Sequence, residues 1–417
     1  MAIETTSAAG FGERIMALAD RLAQWSEIPD GLTCTYLTPA HRSVAAELGD
    51  LMRRAGLATE IDAVGNVVGR YAAADPRARA LILASHYDTV RNAGKYDGRL
   101  GVLTALVLAE HLEREGRKLP FHLDVVAFSE EEGVRFSSSF LGSRAMAGRF
   151  DRALLQRRDA DGHSLAEVMQ DAGRDPEKIP TLARRAEEFA GYLEVHIEQG
   201  PVLLEAGLPV GIVSAIAGSV RRLLTITGTA GHAGTVPMAR RHDAAAAAAE
   251  VVLTVEKRCA QAPTLVGTVG QLTVPGGAIN IIPGRCELSL DIRAADDATR
   301  DAAVSDVMAE IGRIGERRGV AIESREMQRT AAVQCSPRLQ SLLADAAMGL
   351  GVTPRYLASG AGHDAMVFDG LTDTAMLFVR CGNGGVSHSP RETVTAEDAD
   401  IAARVLLDAV LRLAATS

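Results

Sequence analysis

The sequence predicts an α/β protein in which a small ferredoxin-like domain is inserted into a larger domain built from both ends of the chain. Three observations carry this. Strand and helix signals alternate at both ends. Between them, from about Ser214 to Met327, the order strand–helix–strand–strand–helix–strand is that of the split β-α-β motif. The chain of 417 residues is also too long for one ordinary core. The expected division is 1–213 with 328–417 as one discontinuous domain and 214–327 as the insert.

Apolar residues recur at helical spacing from Gly12 to Trp25 and again from Pro39 to Ala55. Three strands follow, Ala58 to Val64, Val67 to Ala72 and Leu81 to His86, the last on the apolar run Ala80 to Ala84, then a helix over Leu100 to Glu115. Phe121 to Phe128 is again a strand, residues 151–188 read as charged and mostly helical surface, and Tyr192 to Ile197 is a short strand. In the insert the strands are Arg221 to Gly228, Leu265 to Val274, Arg285 to Arg293 and Val320 to Met327. Its helices are Asp243 to Arg258, opening on an alanine run behind an aspartate cap, and Ala298 to Arg318. Beyond it, Ser341 to Gly349 is helical, Leu357 to Asp364 is a glycine-rich loop, Thr374 to Arg380 is a strand and Ala396 to Ala414 is the last helix.

Composition narrows the partners. Lys and Arg number 44 against 53 Asp and Glu, a formal charge of −9 with the acids spread along the chain. This argues against nucleic acid or an anionic membrane as the main partner. No apolar run approaches the roughly 20 residues that span a bilayer, and Met1 to Arg21 lacks the continuous apolar core of a signal peptide. Five cysteines without a C-x-x-C pair suggest neither a disulfide framework nor a zinc knuckle. A cytosolic location is the expectation.

Polar clusters recur where strands end, the edge at which open α/β sheets bind ligands. His86 closes the third strand, with Asp88 and Asp97 in the loop after it; Glu130, Glu131 and Glu132 follow the fourth; His196 and His388 close or follow two more. Imidazole with carboxylate suits zinc and other borderline divalent metals, with His86 and Asp97 as ligands and Asp88 orienting His86. Each cluster alone also reads as a solvated loop. Together they supply the ligands of a two-metal hydrolase, in which a carboxylate bridges ions about 3.5–4 Å apart. H-E-x-x-H, G-x-S-x-G and P-loop strings are absent, and the glycines at 360–362 and 382–385 do not form a dinucleotide fingerprint.

The strings Ser85 to Val90, Tyr96-Asp97-Gly98, Glu131 to Phe136, His196 to Pro201, Gly231 to Thr235, Asn280 to Gly284, Asp291 to Arg293, Ser359 to Asp364 and Ser387 to Ser389 run in order along the chain. In them the sequence resembles the amidase, hydantoinase/carbamoylase family of the M20 metallopeptidase superfamily. That family includes N-carbamoyl-L-amino acid hydrolases, β-ureidopropionases, allantoate amidohydrolases and ureidoglycolate amidohydrolases. The resemblance implies a mixed-sheet, di-metal aminopeptidase-like catalytic domain with a lid and dimerisation insert. It implies two divalent ions (Zn, Mn, Co or Ni) per subunit, bridged by Asp97. His86 and His388 would ligate one each, with Glu132 and His196 completing the set. Glu131 would be the general base, taking a proton from the attacking water and returning it to the leaving nitrogen.

The same resemblance assigns His232 and Asn280 to the scissile carbonyl, Arg293 to a substrate carboxylate, and Gln199 and His363 to further substrate contacts. It implies a homodimer in which His232 reaches the partner's site, and a small ureido acid as substrate. Val236 stands where many relatives carry Thr, and Glu130 gives a third acid as in the allantoate amidohydrolases. Two other readings remain: an M20 aminoacylase or dipeptidase, and a non-catalytic binding protein on this scaffold.

Overall fold

The computed structural model describes residues 10–416, so the first nine residues of the Met1–Arg21 stretch lie outside the described residues. The chain divides into two compact units. One takes the chain to Ser214, then Cys335–Leu357, then His363 onward; the other takes Ala215–Gln334 with Ala358–Gly362. Among the described residues no helix is long and apolar enough to cross a membrane. All five cysteines are buried and free.

The first unit opens with α1 (Phe11–Leu22) and α2 (Pro39–Arg54), the latter started by Thr38, whose side chain accepts from the His41 amide, and by Pro39. There follow β1 (Ala58–Ile61), β2 (Val67–Tyr71), β3 (Ala80–His86), α3 (Arg99–Arg114) and β4 (His122–Phe128). Every residue of β3 and β4 is buried, as expected of parallel strands covered on both faces. Next come α4 (Leu141–Met146), α5 (Leu165–Asp171), β5 (Phe189–Ile197), α6 (Val202–Ala206) and β6 (Val210–Ile216).

Residues 151–188 are the largely exposed, largely helical segment expected, but the helix comes in short pieces. Apart from α5 they are loops and short 3₁₀ segments, and Pro180, inside one of these, prevents a longer helix. Leu154, Leu155, Leu165, Val168, Met169 and Ile179 are buried there against Tyr36, Val64 and Phe136, a satellite core that the surrounding charges conceal in the sequence.

The second unit contains β7 (Gly218–Thr227), β8 (Gly231–His232), α7 (Ala244–Cys259), β9 (Leu265–Thr268), β10 (Leu272–Thr273), β11 (Ile281–Ile282), β12 (Arg285–Ala294), α8 (Asp297–Arg318), β13 (Ala321–Thr330) and β14 (Val333–Gln334). β7, β12 and β13 are adjacent and antiparallel, and β9 and β10 both pair with β12, giving the 2-3-1-4 order of a split β-α-β sheet. The expected single strand Leu265 to Val274 is thus two short ones, interrupted around Gly270. Asp243 and Asp296 cap α7 and α8, and Gly319 ends α8 in the left-handed region. Both helices cover one face of the sheet, burying Val220, Leu224, Leu288 and Ile292.

The chain then supplies α9 (Pro337–Gly349), β15 (Tyr356–Ser359), β16 (Thr374–Val379) and α10 (Ala396–Thr416). The larger sheet runs β1-β2-β4-β3-β5-β16-β6-β14, with β15 paired to β6. Its centre, β4-β3-β5-β16, is parallel and its flanks are antiparallel. α3 packs on β3, β4 and β5, α1 packs on α3 and α10, and α9 packs on β16. The sheet is mixed, as the resemblance implied.

Candidate active site and metal centre

Because β4, β3, β5 and β16 are parallel neighbours, their carboxyl ends share one edge of the sheet. His86 is the last residue of β3 and His196 lies one residue from the end of β5. Glu131 and Glu132 follow β4, and His388 follows β16. Asp97 sits in the turn before α3, where Gly98 has φ +64° and packs under the His86 ring. A Cβ at residue 98 would fall 2.4 Å from that ring, so this turn and the His86 position require glycine.

The geometry centres on Asp97, which is 2 % exposed. Its Oδ1 lies 3.1 Å from His196 Nε2 and 3.5 Å from His86 Nε2, and the two imidazole nitrogens are 3.5 Å apart. Its Oδ2 lies 3.1 Å from His388 Nε2, which is in turn 3.5 Å from Glu132 Oε1. Two ligand groups therefore meet on one carboxylate: His86, Asp97 and His196, and Asp97, Glu132 and His388. The sequence had left open which histidine joins which acid. Glu131 Oε2 stands 4.0 Å from His86 Nε2, beside both groups.

Backbone and buried carboxylates hold these atoms in place. His196 Nδ1 faces the Ile197 carbonyl at 2.9 Å and His86 Nδ1 faces the Asp88 carbonyl at 3.2 Å, so Nδ1 donates and Nε2 is presented to Asp97. The Asp88 carboxylate does more than orient His86, 3.4 Å from its Nδ1: it also accepts the amides of Glu131 at 3.0 Å and Glu132 at 3.2 Å. Glu130, at φ +51° and buried, accepts the Arg135 amide at 3.3 Å and closes the acidic turn. The amides of Phe140, Leu141 and Gly142 hold the carbonyls of Glu131, Glu130 and Ser129.

Electrostatically the pocket favours positive charge. Burial alone would raise the Asp97 pKa, but hydrogen bonds from His196, His388 and His86 outweigh it and hold the carboxyl well below the usual range. Asp97 and Glu132 lift His388 to about 9 against the effect of burial. Burial, reinforced by Asp97, lifts Glu132 to about 7. Burial also lifts Glu131 well above the carboxylate range, with Glu132, Asp364 and Asp88 adding to it and His86 opposing. A cation at these ligands would compete directly with protons.

Two other expected contacts join this cluster. Gln199, at φ +58°, donates from Nε2 to Asp97 Oδ2 at 3.0 Å and faces His388 Nε2 at 3.2 Å, while its buried Oε1 has no partner. His363 is buried with its ring 4.5 Å from that of His196, and burial keeps its pKa well below the ordinary value. The remaining three belong to the second unit. His232 on β8 is paired with Ile281 on β11, and the Asn280 carbonyl accepts the Ala233 amide at 2.9 Å, so one short ribbon carries both exposed side chains. Arg293 lies on the outer face of β12, in a cleft of about 650 Å³, with Nε and Nη2 on Asp291 at 3.0 and 2.9 Å and Nη1 on the Gly360 carbonyl at 2.8 Å.

Sequence reasoning missed two buried acids. Glu194 accepts Ser85 Oγ at 2.9 Å and Tyr192 OH at 3.0 Å. Glu392 accepts the Tyr96 and Asp97 amides at 2.9 and 3.2 Å. A glutamate pointing inward from an otherwise apolar strand was a legible signal for Glu194. None marked Glu392.

A mixed α/β sheet whose parallel centre brings histidine and carboxylate clusters to one carboxyl edge is a layout suited to a hydrolase. The chain belongs to Peptidase family M20/M25/M40, whose profile matches residues 82–412. It is 41% identical over 404 residues to the N-carbamoyl-L-amino acid amidohydrolase of Geobacillus stearothermophilus, covering 97% of this chain and 98% of that one. Allantoate deiminase 1 of Glycine max is 38% identical, over 91% of this chain and 85% of that one. Among solved structures, an amidase of the hydantoinase/carbamoylase family from Burkholderia multivorans superposes with a TM-score of 0.90 at 31% identity, covering 97% and 98% of the two chains.

Proposed function

We propose that the chain is a metal-dependent amidohydrolase that cleaves the linear ureido C–N bond of an N-carbamoyl-L-amino acid or of allantoate. The observation that carries this is the division of the Asp97 carboxylate, Oδ1 toward His86 and His196 and Oδ2 toward His388 beside Glu132. The donor set fits divalent ions: within each group the ligand atoms lie within 4.8 Å of one another, and they are imidazole nitrogens and carboxylate oxygens. His86, Asp97 and His196 would hold one ion, and Asp97, Glu132 and His388 the other, drawn from Zn, Mn, Co or Ni. Bound there, the ions would act as Lewis acids toward the ureido carbonyl and lower the pKa of the water nucleophile.

The protein's own groups do the rest. Glu131 takes a proton from the attacking water as oxygen adds to the ureido carbon, then gives it to the departing nitrogen as the C–N bond breaks. Its amide, fixed on Asp88, keeps the carboxylate aimed at the site. His232 and Asn280 are assigned to the developing oxyanion and Arg293 to the substrate carboxylate. Gln199 and His363 are assigned to the substrate. The carbamic acid released from an N-carbamoyl substrate decomposes to ammonia and carbon dioxide. The 214–327 segment is assigned as lid and dimerisation domain, and the working form as a homodimer in which His232 serves the partner's site. The relatives' names support the substrate class.

The test is a substrate panel of allantoate, ureidoglycolate, N-carbamoyl-β-alanine, N-carbamoyl-L-amino acids and their N-acetyl counterparts, run after chelation and again after metal add-back. Ammonia release from a ureido substrate, lost with the metal and restored with it, is expected. Turnover confined to N-acetyl substrates or dipeptides would instead establish the aminoacylase or dipeptidase reading that the peptidase family match keeps open.

A further inference from the structure

Glu392 is a buried carboxylate outside the proposed ligand set, 4 % exposed, and it touches both segments that supply the Asp97–His388 pair. Its Oε1 accepts the backbone amides of Tyr96 at 2.9 Å and Asp97 at 3.2 Å. Its Oε2 accepts the Ser387 hydroxyl at 2.9 Å, and that hydroxyl also lies 3.0 Å from Asp97 Oδ2. One side chain thus joins the turn before α3 to the loop after β16, segments almost three hundred residues apart in sequence.

The two ligand groups need this help unequally. His86 and His196 are buried strand residues, 2 % and 1 % exposed, fixed by the sheet itself. The His388 side chain is 49 % exposed, stands on a loop, and has φ +54°, a conformation that surrounding contacts must impose on a non-glycine residue. Packing at Gly94 supports the same conclusion. A Cβ there would lie 2.4 Å from the Cβ, the carboxyl carbon and Oε1 of Glu392, so the bare glycine is what admits the carboxylate.

We propose that Glu392 is a positioning residue that fixes Asp97 against the His388 loop, and so sets the retention of the ion assigned to Asp97, Glu132 and His388. This rests on the two-ion reading above. It acts through hydrogen bonds to backbone and to Ser387, and touches neither substrate nor the reacting atoms.

The test uses full-length wild type, Glu392→Ala, Glu392→Gln and Gly94→Ala, each stripped of metal and titrated with Co²⁺. Bound equivalents are read by equilibrium dialysis and by the Co²⁺ absorption spectrum, with urea unfolding as the control for folding. Wild type should take up two equivalents. Glu392→Ala and Gly94→Ala should bind the second equivalent about 10–100-fold more weakly, the usual cost of losing a group that orients a ligand, and the first, which shares Asp97 but is otherwise held by buried strand residues, much less so. Glu392→Gln retains an oxygen for the two amides and a donor for Ser387, and should stay within about threefold of wild type. If the two equivalents weaken to the same extent in Gly94→Ala and Glu392→Ala, or neither weakens, the role of Glu392 is overturned while the two-ion reading stands. A wild-type protein that takes up only one equivalent overturns both.

Discussion

The residues assigned to chemistry fall in two regions built on opposite principles. In the first unit, His86, Asp97, His196, His363 and Glu131 are buried at the end of the covered, parallel centre of the larger sheet, and their positions are fixed by other buried groups, notably Asp88. In the second, His232 and Asn280 stand exposed on a two-stranded ribbon, and Arg293 lies in an open cleft. A buried, pre-set cluster is suited to stabilising a transition state, because its groups need no reorganisation when charge develops. Exposed groups must be ordered by the ligand they bind, so whatever they contribute, recognition by Arg293 or oxyanion stabilisation by His232 and Asn280, is realised only once substrate is bound. Substitutions in the first region should therefore depress kcat or metal retention, whereas in the second only His232 and Asn280, assigned to the oxyanion, should act on kcat, and Arg293 should act on KM.

The largest effect should come from Glu131→Gln. It removes the proton acceptor but leaves the backbone amide on Asp88, so kcat should fall about 10²–10⁴-fold with bound metal unchanged by elemental analysis. A variant with near-full turnover would dismiss Glu131 as the base. Next is Gly98→Ala, whose Cβ would meet the His86 ring at 2.4 Å in a turn with φ +64°. Strain of this kind costs about 1–3 kcal/mol. It should appear both as a lower urea midpoint and as loss of the ion assigned to His86, read by dialysis.

Much of this first region was legible in the sequence, for a physical reason. Ala80 to His86 is a fully buried strand and so reads as an unbroken apolar run, which makes the polar residues at its end conspicuous. His86, the Glu131–Glu132 pair, His196 and His388 all stood out in that way. The two-residue strands β8, β11 and β14 are too short to carry any period, and β6 was overlooked at the point where the chain changes units. The satellite core within 151–188 was hidden because its buried residues are few and set among exposed charges, with helical spacing only over the two turns of α5. Glu392 illustrates the deeper limit: a lone glutamate acquires meaning only from amides 295 and 296 positions away.

The second region is sharpened by Arg293→Lys. An ammonium cannot reproduce the planar contact that places Nε and Nη2 on Asp291, so the end of the side chain loses its fixed orientation. Loss of a charge-assisted pair to the substrate carboxylate, about 1.5–3 kcal/mol, should raise KM roughly 10–100-fold and leave kcat near that of wild type. An equal fall in kcat would move Arg293 into the class of the buried cluster and erase the distinction between the two regions.

The smallest effect at any one pH step, up to about 1.4 kcal/mol per unit, concerns how the buried region tolerates acid. His41, on α2, is fully buried against Tyr36 and Tyr87, and burial lowers its pKa from 6.5 to about 3, opposed by the attraction of Asp88 and assisted by Arg99, Arg135 and Arg174. The unfolded chain therefore binds a proton here at a pH where the folded chain does not. The contribution is complete above about pH 6.5 and is lost as pH falls toward 3, at up to about 1.4 kcal/mol per pH unit. His41→Leu removes this term. The Tyr87 hydroxyl, 3.4 Å from His41 Nδ1, keeps its 2.7 Å hydrogen bond to the Gly65 carbonyl, so the neighbouring network stays satisfied. Urea unfolding from pH 4 to 6 should then show a shallower dependence on pH in the variant than in wild type. Parallel slopes would mean that His41 takes up its proton inside the folded protein, and that the core beneath the site is less closed to water than its packing indicates.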